Sequence, residues 1–181
     1  WPGRDIVFAI TLATMMLPAQ VTLIPQYLLF RNLKWLNSIK PLWVPAWFGG
    51  GAFLIFLLRQ FIMTIPRELD EAATIDGANP MRILFSVLIP LMKPVLATVC
   101  VITFIGAWND FMGPLIYLAS PDKFTLALGI RHFNVTPGQA GMPEEHLLMA
   151  ACVMSTLPII ILFFSAQRYF VQGIVMSGIK G

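Results

Sequence analysis

Glu68-Leu69-Asp70-Glu71-Ala72-Ala73-Thr74-Ile75-Asp76-Gly77-Ala78-Asn79-Pro80 is the one strongly acidic and polar segment of a chain that is otherwise mostly apolar. Its local code reads helix, sharp stop, new helix. Pro66 suits a first helical turn, where a missing N–H costs nothing. Glu68, Asp70 and Glu71 follow in the opening turns, where the positive end of the helix dipole favours carboxylates. Gly77 supplies the left-handed residue that ends a helix. Asn79-Pro80 is an N-cap followed by a first-turn proline, so a second helix starts there. Along that helix Ile83, Leu84 and Val87 share a face. A short helix, a glycine elbow and another helix between two hydrophobic runs make a compact knob at a membrane surface.

The flanking runs bear out the membrane setting. The chain has 181 residues, 57% of them hydrophobic and only 12% charged, against about 25% charged in a soluble domain. Mean hydropathy is positive. The net charge of +3 is small and scattered, which argues against a nucleic-acid partner. Cys100 and Cys152 both fall inside apolar runs and read as reduced thiols acting as small hydrophobes, not as a disulfide or a metal site. No basic leader with a cleavage site opens the chain.

Taken in order, the fold class is all-α: a polytopic membrane helix bundle of about four spans, at residues 6–30, 42–58, 95–118 and 147–166. The polar knob, residues 66–90, lies between the second and third. Pro18 and Pro25 should kink or break the first span, which places that stretch where neighbours or water satisfy the freed carbonyls. Arg31 to Ser38 is a polar turn with an interfacial tryptophan, Trp35. Gly49-Gly50-Gly51-Ala52 permits a close helix crossing in the second span. Ala119 to His146 is a long polar connection with a short helix around Thr125 to Phe133. Four spans put both ends on one side. Of the Lys and Arg residues, seven fall on the knob's side and five on the other, which favours a cytoplasmic knob.

Glu71-Ala72-Ala73, then Gly77, then Val87-x-Ile89-Pro90 and Pro94, resembles the EAA loop of ABC importer permeases. The family pattern prefers Ile and Leu where this chain has Val87 and Ile89, swaps that keep shape and apolarity. Asp76-Gly77-Ala78 through Pro90-Leu91, Trp108-Asn109-Asp110, and Gln167-Arg168 through Gly173 to Gly178-Ile179-Lys180-Gly181 are similar to the carbohydrate branch, of the maltose and glycerol-3-phosphate permease type. The resemblance runs over nearly the whole chain. It implies part of a type I ABC importer transmembrane domain in a bacterial inner membrane. Permeases of this branch usually have six spans, and this chain opens without methionine, so the resemblance implies that two spans precede it. The implied partners are a second permease subunit in a heterodimer, a cytoplasmic ABC ATPase dimer that binds ATP and Mg, an extracytoplasmic solute-binding protein, and membrane lipid. The implied ATPase-coupling residues are Glu68, Glu71, Ala72, Ala73, Asp76, Gly77, Ile83, Leu84 and Val87.

Nothing in the chain reads as an enzyme. No G-x-x-x-x-G-K-[ST] loop is present, so any ATP belongs to a partner and the chain itself needs no cofactor. No H-E-x-x-H or cysteine-rich spacing marks a metal, and His132 and His146 stand alone in a polar connection. Asp110 is the one carboxylate placed within a span, and an ionisable group there is a functional hypothesis by default. The blander reading is that Asp110 lies near an interface and fixes helix packing. Asn109 can bond a cargo hydroxyl or a neighbouring helix, and Trp108 can stack on a sugar face or anchor at an interface. These three residues are the candidate substrate path.

Two functions remain open at this point. One is an ATP-driven importer of sugars or related carbohydrates, in which the knob couples a separate ATPase to the spans. The other is an ion-coupled secondary carrier using Asp110.

Overall fold

The computed structural model describes residues 2–48, 51–135 and 145–178, with only the backbone of 134–135 and 168–178. Gly49-Gly50, the middle of the connection at 136–144 and the last three residues of the terminal motif, 179–181, lie outside the described residues. All regular structure in the described residues is helical. The helices are α1 Arg4–Ala13, α2 Ala19–Asn32, α3 Lys40–Trp43, α4 Ala52–Ile62, α5 Glu68–Ile75, α6 Pro80–Ile83, α7 Ile89–Leu91, α8 Lys93–Trp108, α9 Met112–Tyr117, α10 Leu126–Val135 and α11 Glu145–Gly178. The chain divides into two compact units. One comprises Trp1–Ala52 with Phe104–Ile161, the other Phe53–Thr103 with Leu162–Gly181.

Two stretches, Lys40–Ile62 and Glu145–Gln167, are long and apolar enough to cross a membrane. Two further pairs qualify if each bent pair is one span. The first expected span is such a pair: Arg4–Met16 and Ala19–Asn32 meet at 96°. The cause is local. A proline drives the residue before it out of the helical region, and Leu17, before Pro18, has φ −78° and ψ 120°. Pro18 itself is extended at ψ 134°. Pro25, by contrast, sits inside α2 without ending it.

The second pair is Pro80–Leu91 and Lys93–Trp108, bent by 75° around Met92. Its first arm contains a π-helical turn, Leu84–Leu88. Pro90 lacks the N–H that would reach Ser86, and its ring crowds that carbonyl, so a wider turn ahead of it relieves the clash. The third expected span also divides. After α8 the chain breaks at 109–111 before α9. In α11, Pro158 lies inside an unbroken helix.

α2 ends in a Schellman motif. The Trp35 N–H bonds Phe30 O at 2.8 Å and the Lys34 N–H bonds Arg31 O at 3.0 Å. Lys34 takes the left-handed position with φ 56°. The apolar contact that accompanies this motif is present: Phe30 and Trp35 stack at 5.9 Å. Trp35, expected as an interfacial anchor, is thus half-buried against its own helix. Phe30 also meets Tyr117 edge-on at 5.2 Å. Phe30, Pro41, Pro114, Tyr117 and Leu118 are buried together in this unit. Most other large apolar side chains are exposed, among them Val21, Ile161 and Phe164. An apolar exterior of that kind is what lipid or a neighbouring membrane subunit covers.

Candidate functional site

The knob is built as its sequence specifies. α5 begins at Glu68, with Glu68, Asp70 and Glu71 in its first turn. The Glu71 N–H bonds Arg67 O at 3.0 Å; Pro66, expected in the first turn, instead stands ahead of the N-cap Arg67. The exit is a second Schellman motif: the Ala78 N–H bonds Ala73 O at 2.9 Å and the Gly77 N–H bonds Thr74 O at 3.0 Å. Gly77 has φ +77°, and nothing lies within 4 Å of where its Cβ would be. Glycine is therefore favoured by the backbone angle, not by space.

α6 starts as expected. Asn79, at φ −77° and ψ 162°, caps it by accepting the Arg82 N–H on Oδ1 at 2.8 Å. Asp76, one residue before the elbow, takes no part in that cap and is exposed. Glu68, Glu71, Ala72, Asp76, Gly77 and Leu84 are exposed; Ala73, Ile83 and Val87 are half-buried. So Ile83 and Val87 are partly covered, while Glu68 and Glu71 of α5 are open. Glu68, Glu71 and Asp76 form no ion pair among the described residues.

Three features of the knob were not singled out from sequence. Ile75 is 86% exposed beside the elbow, and Met81 and Phe85 are 61% and 60% exposed on the second arm. Asp70 Oδ1 is shielded from solvent yet has no hydrogen-bond partner among the described residues. A polar segment carrying isolated, outward-facing Ile, Met and Phe was the available signal.

The second candidate region is the end of α8. Trp108, Asn109 and Asp110 are consecutive there, but their side chains are engaged separately. Trp108 stacks on Phe104 at 5.3 Å and donates its indole N–H to the carbonyl of Ser155 at 3.0 Å. Ser155 lies three residues ahead of Pro158 in α11. Asn109 bonds back to Ile105 O at 3.0 Å through its amide group. Asp110 Oδ1 accepts the Gly113 N–H at 3.1 Å. That N–H is one of the unpaired donors of the first turn of α9. Trp108 therefore bolts α8 to α11, and Asp110 starts α9. Among the described residues no group of His, Cys, Asp and Glu could hold a metal.

The chain matches the family described as binding-protein-dependent transport system inner membrane component over residues 1–176. It is 35% identical over 99% of its length to the arabinooligosaccharides transport system permease protein AraQ of Halalkalibacterium halodurans, of which it covers 62%. It is 40% identical over 98% of its length to the sn-glycerol-3-phosphate transport system permease protein UgpE of Shigella flexneri serotype 5b, again covering 62%. Among solved structures it is similar to a chain of a bacterial ABC transporter involved in the import of the acidic polysaccharide alginate. There the identity is 30% and the TM-score 0.81, with 94% of this chain and 63% of that chain covered.

These likenesses define the fold class: an all-α helical domain like the transmembrane part of an ABC importer. The chain belongs to the family of binding-protein-dependent transport system inner membrane components. It spans about 62% of the length of the curated relatives it matches.

Proposed function

We propose that this chain is a permease subunit of an ATP-driven importer for sugars or related polyol phosphates, and that residues 66–90 are its handle for a separate ATPase. The observation that carries this is the knob: an acidic, outward-facing helix joined to a second arm by a glycine-locked elbow, in a chain of this family. The named relatives carry an arabinooligosaccharide and a glycerol phosphate, which supports a carbohydrate-type cargo.

The physical role follows from the geometry. Glu68 and Glu71 offer carboxylates to basic groups of a docking partner, and Ala72 and Ala73 let its surface come close. Ile75, Met81 and Phe85 supply apolar contact area. Gly77 and the Asn79 cap hold the angle between the two arms, so a pull on α5 is passed on through Ile83 and Val87. In this reading the knob is cytoplasmic and the connection 119–146 faces outward. A second permease subunit completes the path, and a solute-binding protein delivers cargo at the outer face. ATP and Mg act at the ATPase dimer, whose closure biases a two-state membrane element.

The carrier alternative loses its main support, because Asp110 is occupied in starting α9. The test is co-purification with an ATPase followed by uptake into vesicles with and without ATP. Uptake that collapses with the ion gradient while ATP remains would favour the carrier.

A further inference from the structure

Asn37 is tied to a segment some 83 positions away by both its backbone and its side chain. Its backbone N–H donates to Tyr117 O at 2.7 Å. Its side-chain oxygen accepts the N–H groups of Ala119 and Ser120, both at 3.1 Å. Its amide group donates to Ser120 Oγ at 2.8 Å. Its own carbonyl accepts from Lys123 Nζ at 3.0 Å. The left-handed backbone, φ 56°, is a conformation that asparagine tolerates better than most residues. Beside these bonds lies a buried cluster: Phe30 is 5% exposed, Leu118 6% and Tyr117 8%, with Pro114 fully buried.

We propose that the turn 33–38 and the segment 117–123 form one rigid body that stays closed throughout the transport cycle. Access at that end of the path opens along other edges. The proposal rests on the importer reading above. Its physical basis is that moving parts come from regions with few buried contacts and solvent-exposed hydrogen bonds. Here five hydrogen bonds converge on one residue. Those to Ala119 and Lys123 are exposed and the two to Ser120 part-buried, so the number of bonds and the packed aromatic cluster beside them, not shielding from solvent, hold the segments together. Packed clusters hop between discrete arrangements and do not stretch. Separating these two segments would break all five bonds at once, so they travel together.

The test replaces the polar link with a covalent one. Asn37→Cys and Ser120→Cys are combined in a chain carrying Cys100→Ser and Cys152→Ser, and the assembled importer is placed in vesicles. The pair should oxidise readily, and oxidation should change ATP-driven uptake less than twofold relative to the reduced form. A larger fall, restored by reductant, would overturn the proposal, as would failure of the pair to cross-link. A second readout needs no transport. In the full chain in detergent, Asn37→Ala should speed amide hydrogen exchange at Ala119 and Ser120 at least tenfold, with helix α8 unchanged. Unaltered exchange at those two amides overturns the rigid body. Vesicles of the unmodified importer that show no ATP-driven uptake count against the importer reading alone, because the exchange measurement still decides the rigid body.

Discussion

The carboxylate of Asp110 fills the space that a side chain at Gly113 would need. Oδ1 accepts the Gly113 N–H at 3.1 Å, and Oδ2 stands 2.6 Å from the position of a Cβ on Gly113. Leu42 closes the same space at 3.2 Å. The pair sets where α9 begins, and with it the position of the buried Pro114 and Tyr117.

Asp110→Asn should therefore keep much of the transport activity, because an amide oxygen can still accept the Gly113 N–H. Asp110→Leu should cost about 1–3 kcal/mol by leaving that donor unmet. Gly113→Ala should resemble Asp110→Leu, since the added methyl displaces the carboxylate. Uptake by purified variants at matched membrane levels checks this. Complete loss in Asp110→Asn with normal assembly would restore the ion-coupled carrier reading.

Trp108→Phe keeps a ring beside Phe104 but removes the bond to Ser155 O along with part of the ring. The expectation is a loss of about 1 kcal/mol in thermal stability with cargo affinity unchanged. If Trp108 instead stacks on a sugar, Trp108→Phe will be near neutral in stability and Trp108→Ala will raise the KM for uptake.

Lys34 occupies a position that glycine fills without strain. Lys34→Gly should relieve about 1–2 kcal/mol of left-handed strain, part of it offset by the greater freedom of glycine in the unfolded chain. A rise in Tm in detergent, with unchanged uptake, is the expected outcome. A fall would mean that Lys34 contributes a contact beyond its backbone angle.

Sidedness can be read by labelling. In a chain carrying Cys100→Ser and Cys152→Ser, single cysteines at Asn79 and Asp122 should react from opposite faces of intact cells, the second from outside. Reaction from the same face contradicts the topology on which the coupling role depends.

The knob was legible because its signals are local. Gly77, Asn79 and Pro80 each dictate a backbone angle within a few residues, and the chain follows them. The bend at Leu17 was half legible: Pro18 announced a break, but two prolines were present and only one acts. The interruption at 109–111 was hidden, because an aspartate in an apolar run reads equally as a site or as the start of a new helix. Only the distance to Gly113 separates the two. The roles of Trp108 and Asn37 depend on partners 47 and 83 residues away, beyond the reach of any local pattern. Long-range hydrogen bonds depend on how the helices pack, and hydrophobic periodicity does not set that packing in detail.

Coupling is tested most directly at the elbow. A Cβ at Gly77 costs about 1–2 kcal/mol in the left-handed region, roughly a tenfold shift in a docking equilibrium, whereas asparagine is the best-tolerated side chain there. Gly77→Val, Gly77→Asn and Glu71→Lys should all reach the membrane at normal levels. The measurement is ATPase co-purification together with uptake per ATP hydrolysed. The expected result is association or coupling weakened about tenfold in Gly77→Val, weakened by charge reversal in Glu71→Lys, and close to normal in Gly77→Asn. Normal association and normal uptake per ATP in both Gly77→Val and Glu71→Lys would contradict the assignment of residues 66–90 as the ATPase handle.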